Sequence, residues 1–239
     1  MPRVELCLSA NAGFVLRMGE KRIWIDAVHD QKFPSMSTLT PMLYEQLLQH
    51  PLFAAPDLVF FTHCHGDHFS YDMARQVKER WPNTVLALPE QRFPDQLFLT
   101  GNRIRIETGD ITLSFLSLVH EGAQYVEVPH YALLVEQDGY RILFTGDCQV
   151  AGKQLIQHLR GVEIHLAVVD FPWLTLRKGR EFLMNELRPR QVAVCHLPFP
   201  QDDLYGSREA ALRDVSLLEY MDARVFLEPF QTEIFEIIR

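Results

Sequence analysis

The sequence lacks a disulfide framework. Its four cysteines, Cys7, Cys64, Cys148 and Cys195, show no Cys-x-x-Cys spacing, and four are too few to crosslink a chain of 239 residues. We therefore interpret them as free thiols. Three of them adjoin or interrupt motifs of histidine and aspartate, where a small apolar residue suits a tight position.

Long hydrophobic runs and an excess of positive charge are also missing. No window approaches the roughly 20 apolar residues of a membrane span, and the first 13 residues lack the features of a secretory signal. With 23 Lys and Arg against 31 Asp and Glu, the formal net charge is -8, so the overall field should repel nucleic acid and anionic membranes. We expect a soluble cytoplasmic protein that acts on a small molecule, without nucleic-acid or membrane partners; the oligomeric state stays open.

No stretch rich in Pro, Gly or Ser divides the chain, and it contains no repeat or low-complexity segment. Hydrophobic residues make up 47% and charged residues 23%, which is the balance of a globular protein that buries a sizeable core. We predict a single domain over residues 1–239.

Two β-rich blocks, each followed by alternating strands and helices, organise the sequence. Strand-like runs fall at residues 4–9, 14–18, 22–25, 57–62, 84–88, 103–107, 111–119, 131–136, 140–144, 164–170 and 191–195, before two closing strands. Helical patterns fall at residues 41–50, 70–80, 153–159, 178–187 and 208–220. Thr40 and Ser70 are of the type that caps helices, and Asp138-Gly139 suits a tight hairpin. The pattern predicts an α+β fold of two similar halves, with sheets packed together and helices outside.

The strongest functional signal is the run Thr62-His63-Cys64-His65-Gly66-Asp67-His68 at the end of an apolar strand. Imidazoles two residues apart project side by side from an extended loop, and a carboxylate and a third imidazole follow. One short segment can therefore address two adjacent metal ions. Gly66 suits such a loop because it gives backbone freedom or permits close backbone approach. The alternatives are a surface histidine tract and a structural zinc site that uses Cys64.

This motif resembles the defining motif of the metallo-β-lactamase superfamily, and further landmarks of that family follow in order across nearly the whole chain. Asp26 resembles the early aspartate beneath the site, and His120 resembles the third metal-site histidine. Asp147, after Thr145-Gly146, resembles the bridging carboxylate, and His196 resembles the last histidine. The resemblance implies a four-layer αββα sandwich, the metallo-β-lactamase fold, with its site along the edge between the sheets.

The resemblance also implies a ligand set for two divalent ions, most consistent with zinc, although manganese or iron would suit the same donors. One ion would be held by His63, His65 and His120, the other by Asp67, His68 and His196, with Asp147 between them. Asp26 is expected to orient a ligand rather than to bind metal.

Several of these assignments have alternatives in the sequence. His130 competes with His120, because both follow the 111–119 block. Asp147 could be an ordinary turn aspartate, and His196 a merely buried histidine. Candidates for protonating a leaving group are His130, Tyr125 and Asp170. Trp173, Arg177 and Lys178 could line a substrate pocket, or the two cations could simply begin a solvated helix.

Two such ions lower the pKa of water from about 15.7 to about 7, which supplies hydroxide at neutral pH. Asp67 and Asp147 are the predicted catalytic residues, which hold and orient that nucleophile. The small, stand-alone, lactonase-like branch of the superfamily is most similar, so we expect a hydrolase of an ester, lactone or phosphodiester of a small molecule. An iron-dependent oxidoreductase and a non-catalytic metal-binding module are the alternatives.

Overall fold

Two sheets of seven strands each are found in the computed structural model, which describes residues 3–236. One compact unit, unit 1, combines the chain up to Leu99 with residues 196–205 and the chain from Leu227 onward. Unit 2 contains residues 100–195 and 206–226. The prediction of an α+β chain with two mixed sheets is confirmed, whereas the single domain over residues 1–239 stays a prediction.

The elements follow the predicted order closely. The strands are β1 Arg3–Leu8, β2 Phe14–Met18, β3 Lys21–Ile25, β4 Leu58–Phe60, β5 Val85–Leu88, β6 Leu97–Phe98, β7 Arg103–Thr108, β8 Ile111–Ser117, β9 Tyr131–Gln137, β10 Tyr140–Phe144, β11 Leu166–Asp170, β12 Gln191–Cys195, β13 Asp222–Val225 and β14 Thr232–Glu236. The α-helices are α1 Pro41–Gln49, α2 Tyr71–Arg80, α3 Lys153–Leu159, α4 Pro172–Thr175, α5 Arg177–Phe182 and α6 Ser207–Asp214. None of the helices described is long and apolar enough to cross a membrane.

The sheet of unit 1 has the order β14-β1-β2-β3-β4-β5-β6. Strands β14 to β3 pair in antiparallel fashion, and β3 to β6 pair in parallel. Because β3 and β4 are parallel, their carboxyl ends meet at one edge of the sheet. Asp26 directly follows β3, and Thr62 lies two residues beyond β4, so the sheet brings the predicted aspartate to the predicted histidine motif.

Caps and aromatic packing fix the helices of unit 1. Thr40 Oγ1 accepts a hydrogen bond from the Leu43 amide at 3.3 Å, and Ser70 Oγ accepts one from the Met73 amide at 3.4 Å. Both capping predictions are confirmed. The core centres on Trp24, which is fully buried and has its ring centroid 5.4 Å from that of Phe53. This packing joins β3 to the 3-10 turn over Pro51–Phe53 that follows α1.

The sheet of unit 2 has the order β13-β12-β11-β10-β9-β8-β7. It repeats the plan of unit 1, with antiparallel strands from β7 to β10 and parallel strands from β10 to β13. Asp138 and Gly139 both have positive φ, at 50° and 81°, as a type I′ hairpin requires. The carboxyl ends of its parallel strands carry Asp147, which comes three residues after β10, and Asp170, the last residue of β11.

Two helix predictions were wrong in extent. The predicted helix over 178–187 is α-helical only up to Phe182, as α5, and continues as a π-helical turn over Leu183–Leu187. The predicted helix over 208–220 ends as an α-helix at Asp214 and continues only as a 3-10 turn to Leu217. Leu218 then leaves the helical conformation, with φ -85° and ψ 69°, and its side chain is 3% exposed.

Candidate metal centre

The histidine motif forms a tight loop between β4 and α2. The amides of His68 and Phe69 both donate to the carbonyl of His65, at 3.0 and 2.9 Å. The His63 ring centroid consequently lies 4.6 Å from that of His65 and 4.1 Å from that of His68. His63 and His68 are fully buried, so the imidazoles form an interior cluster and not a surface tract.

Asp26 lies beneath this loop and organises it. Its Oδ1 accepts from the Thr62 amide at 2.7 Å, and its Oδ2 accepts from Thr62 Oγ1 at 2.7 Å and from His68 Nδ1 at 2.9 Å. The aspartate is 1% exposed and adopts φ 49°. These contacts suit the orienting role that the sequence predicts for Asp26.

The same network sets the tautomers of two histidines. The Thr62 hydroxyl gives its one proton to Asp26, so Oγ1 accepts from His63 Nδ1, 2.9 Å away. His68 Nδ1 donates to Asp26 in the same way. Each ring therefore keeps its lone pair on Nε2, and histidines that bind metal characteristically donate their other N–H to such a partner. These residues fit a metal ion.

Gly66 is needed for close packing within the loop. A Cβ atom there would lie 2.1 Å from Gln31 Oε1 and 2.6 Å from Gln31 Cβ. The Gly66 carbonyl accepts from the Gln31 amide at 3.1 Å. Of the two reasons for glycine that the sequence leaves open, close approach is the one that applies.

His196 belongs to the 196–205 stretch of unit 1 and lies beside Asp67 and His68. Its Nε2 lies 3.6 Å from Asp67 Oδ2, and its ring centroid lies 4.9 Å from that of His68. One ligand atom from each of these three residues lies within 4.8 Å of the others. His196 adopts φ 61°, a conformation that costs on the order of 1–3 kcal/mol in a residue with a side chain. The fold thus holds a strained histidine beside a carboxylate and a second histidine.

In unit 2, His120 and Asp147 are neighbours. The Glu121 amide donates to the Asp147 carbonyl at 2.8 Å, and His120 forms an isolated β-bridge with Cys148. His120 Nδ1 donates to the Glu121 carbonyl at 2.7 Å, which leaves the lone pair of the ring on Nε2, 3.9 Å from Asp147 Oδ2. An imidazole Nε2 that accepts and a neighbouring carboxylate are therefore present, and both are donor types that bind metal ions.

Three residues that the sequence offered as alternatives or as proton donors are His130, Asp170 and Tyr125. The ring centroid of His130 lies 5.7 Å from that of His120, and its side chain is buried. The 3.9 Å approach to Asp147 favours His120 as the ligand. Asp170 is also buried, whereas Tyr125 is 39% exposed with its ring centroid 5.1 Å from that of His120.

The suggested substrate-pocket residues mostly have other roles. Trp173 is fully buried and packs on Phe182, with ring centroids 5.5 Å apart, so its proposed place in a pocket wall was wrong. Arg177 is solvated and pairs with Glu181 at 2.7 Å, as expected of a helix start. Lys178 Nζ lies 3.7 Å from a Glu121 carboxylate oxygen.

The cysteines are all free thiols, as predicted. Burial, with a further contribution from the nearby Glu90 carboxylate, raises the pKa of the Cys64 thiol to about 12. Cys64 belongs to none of the groups of candidate metal ligands among the described residues, which disfavours a zinc site that uses this thiol. The candidate groups consist of imidazoles and carboxylates.

His29 is a buried residue of this region that the sequence analysis did not single out. It is fully buried, and burial, reinforced by nearby His68, lowers its pKa from 6.5 to about 3. The only available signal was its place three residues after Asp26, which belongs to no motif.

The lowered pKa of His29 predicts acid sensitivity of the metal-free protein. The unfolded chain takes up a proton near pH 6.5 and the folded chain only near pH 3, so the contribution to stability is complete above 6.5 and is lost as the pH falls toward 3. The loss is about 1.4 kcal/mol per pH unit well inside this window. We expect His29→Leu to flatten this dependence in urea denaturation between pH 7 and 4; an unchanged slope would contradict the assignment.

Comparison with known proteins identifies the family of this chain. The sequence profile of the beta-lactamase superfamily domain matches residues 21–193, more than half of the chain. The chain belongs to the metallo-β-lactamase superfamily. Its fold is the metallo-β-lactamase fold, as predicted. The superfamily profile ends before His196, so that assignment rests on the geometry of unit 1 and on the sequence resemblance. No curated protein matches this superfamily member.

Solved structures of low sequence identity share the fold of this superfamily member. Igni18, a metallo hydrolase from Ignicoccus hospitalis, matches with a TM-score of 0.70 at 16% identity, covering 99% of this chain and 100% of its own. An isothiocyanate hydrolase from Delia radicum gut bacteria gives 0.63 at 16%, covering 98% and 99%. CmlA, a diiron β-hydroxylase from Streptomyces venezuelae, gives 0.69 at 14%, covering 98% of this chain and 54% of its own.

Proposed function

We propose that this superfamily member is a hydrolase that binds two divalent metal ions and cleaves an ester, lactone or phosphodiester of a small molecule. The observation that carries the proposal is the hydrogen-bond network of Asp26. Asp26 acts on His63 through Thr62 and on His68 directly, and it favours the tautomer in which Nδ1 carries the proton, as in histidines that bind metal through Nε2. Two proteins of similar fold are a metallo hydrolase and an isothiocyanate hydrolase.

The proposed ligand set is the one that the sequence resemblance implies. One ion is assigned to His63, His65 and His120, the other to Asp67, His68 and His196, and Asp147 is assigned as the bridge. Support for the second group comes from its three ligand atoms within 4.8 Å of one another. Support for the first comes from the adjacent rings of His63 and His65.

Bound ions of this kind lower the pKa of water to about 7 and polarise a substrate oxygen. Asp67 and Asp147 are proposed to accept hydrogen bonds from the attacking water and to orient it toward the substrate. Their side chains are 14% and 15% exposed, which permits access to solvent and substrate. Nitrogen and oxygen donors suit zinc first, with manganese as an alternative.

Iron-dependent oxidation is the second candidate function. The donors described here are imidazole and carboxylate, which also serve iron. The similar fold of a diiron β-hydroxylase is compatible with that chemistry. The metal that the protein carries after purification separates the two functions.

The test is elemental analysis of protein purified without added metal, in parallel with His65→Ala. We expect about two zinc or manganese ions per chain, with fewer in the variant because His65 is an assigned ligand. Lactones, carboxylic esters and phosphodiesters are then screened with the loaded protein.

Each other result has a defined meaning. Iron as the bound metal would transfer the proposal to oxidation. Full loading without turnover of any of the three substrate classes would indicate a non-catalytic metal-binding module. Absence of metal even after reconstitution would refute the ligand assignment itself.

A further inference from the structure

An irregular segment of unit 1, residues 27–40, connects β3 to α1. It contains neither strand nor helix, yet several of its side chains are buried, including His29, Ser37 and Leu39. A segment without backbone pairing of its own must satisfy its polar groups elsewhere. The hydrogen-bond partners of this segment lie in the histidine loop and in the chain that follows His196.

One end of the 27–40 segment binds the histidine loop. The Gln31 amide donates to the Gly66 carbonyl at 3.1 Å, and the Ser70 amide donates to the Val28 carbonyl at 3.0 Å. Ser70 Oγ also donates to Asp30 Oδ2 at 2.7 Å. These bonds fix the loop on both sides of Asp67 and His68.

The other end binds the chain that follows His196. Ser37 Oγ donates to Asp202 Oδ2 at 2.8 Å and accepts from the Phe199 amide at 2.7 Å. Lys32 Nζ forms an ion pair with Asp202 Oδ1 at 2.5 Å. Ser37 is fully buried and Asp202 is 8% exposed. A single hydroxyl thus ties together two points of the 196–205 segment.

Ser37 is also linked to His196 through Asn11. The Ser37 amide donates to Asn11 Oδ1 at 3.0 Å, and Asn11 Nδ2 donates to the Ser37 carbonyl. The Asn11 carbonyl in turn accepts from the His196 amide at 2.9 Å. Asn11 and His196 both have positive φ, at 49° and 61°, and such conformations persist only where the surroundings enforce them.

We propose that Ser37 and Asp202 are positioning residues for His196 and selectively set the affinity of the metal group formed by Asp67, His68 and His196. This inference rests on the proposed function, because it requires that group to bind a metal. The other proposed metal group has its ligands outside the 196–205 segment. Loss of either positioning residue is therefore expected to weaken one of two sites.

The experiment compares full-length wild type with Ser37→Ala and Asp202→Asn. Metal-free protein is titrated with Zn²⁺ against a chromophoric chelator, and with Co²⁺ while its visible absorption is recorded. We expect one site to weaken by about 10-fold, the lower end of the range for direct partners of metal ligands, because Ser37 acts on His196 through Asn11. The other site should stay within about twofold, and one part of the Co²⁺ spectrum should change.

Thr84→Ala is the matched control. Thr84 lies in the same unit, is 1% exposed, and donates from Oγ1 to the Pro56 carbonyl at 2.7 Å. This variant loses a buried hydroxyl bond like that of Ser37 but should retain both metal affinities. Should Ser37→Ala fail to fold, the nearly isosteric Asp202→Asn carries the test.

The outcomes separate this inference from the proposed function. Two-site binding by wild type, with Ser37→Ala and Asp202→Asn no weaker than Thr84→Ala, would overturn the positioning role alone. Equal weakening of both sites would also overturn it, since selectivity is the claim. Failure of wild type to bind any metal would refute the proposed function instead.

Discussion

Replacement of His68 by alanine is expected to remove one metal ion and to lower kcat for hydrolysis by at least about 1,000-fold. The basis is that a water with an ordinary pKa of about 15.7 supplies almost no hydroxide at neutral pH, whereas two ions bring that pKa to about 7. His68 belongs to the group of ligand atoms within 4.8 Å of one another. Metal content and kcat at pH 7 are the measurements.

His50→Ala is the control for this experiment. His50 lies in the same unit, caps the 3-10 turn over Pro51–Phe53, and stacks on Phe230 with ring centroids 5.3 Å apart. Its loss should cost stability without loss of metal. Retention of two ions and of full activity in His68→Ala would remove His68 from the ligand set.

Asp26→Asn should leave the protein folded but weaken metal binding by about 10- to 100-fold. The amide keeps one oxygen as an acceptor, while its NH₂ group donates where the carboxylate accepted. His68 Nδ1, 2.9 Å from Asp26 Oδ2, must then accept, which transfers its proton to Nε2 and blocks the ligand lone pair. A wrong histidine tautomer of this kind is known to disable a serine-protease triad.

The Asp26 variant is measured by competition titration with Zn²⁺, together with its melting temperature. Asp57→Asn is the matched control, because Asp57 also accepts from a backbone amide and a side chain of unit 1, Arg22 N and Lys21 Nζ. We expect Asp57→Asn to bind metal as wild type does. Identical affinities in the two variants would show that Asp26 only supports the fold.

Features encoded over a few neighbouring residues were predictable from the sequence. The capping hydroxyls of Thr40 and Ser70 lie three residues from the amides they bind, and the histidine loop is seven residues long. In each case the residues that interact are also close in the chain, so their pattern shows which structure they form.

Contacts between distant residues were not predictable in this way. Ser37 and Asp202 are 165 residues apart, and neither lies in a motif. Trp173 was misplaced because an aromatic residue after a strand suits either a pocket wall or the core, and only the packing of α4 and α5 decides. The helix predicted over 178–187 shows a similar limit, since its change from α-helix to π-helical turn after Phe182 follows no signal in the local pattern.

The division of unit 1 into three stretches of chain has a consequence for its folding. Strand β1 pairs with β14, so that Arg3 lies opposite Glu236. Asp67 likewise contacts His196, which follows the whole 100–195 stretch in the chain. Such contacts give a high contact order and slow folding. During synthesis His63, His65 and His68 emerge long before His196, so the proposed set of ligands is incomplete until the chain is nearly finished. If the proposed site is correct, metal loading would be a late event, set by completion of the chain and not by the appearance of the histidine motif.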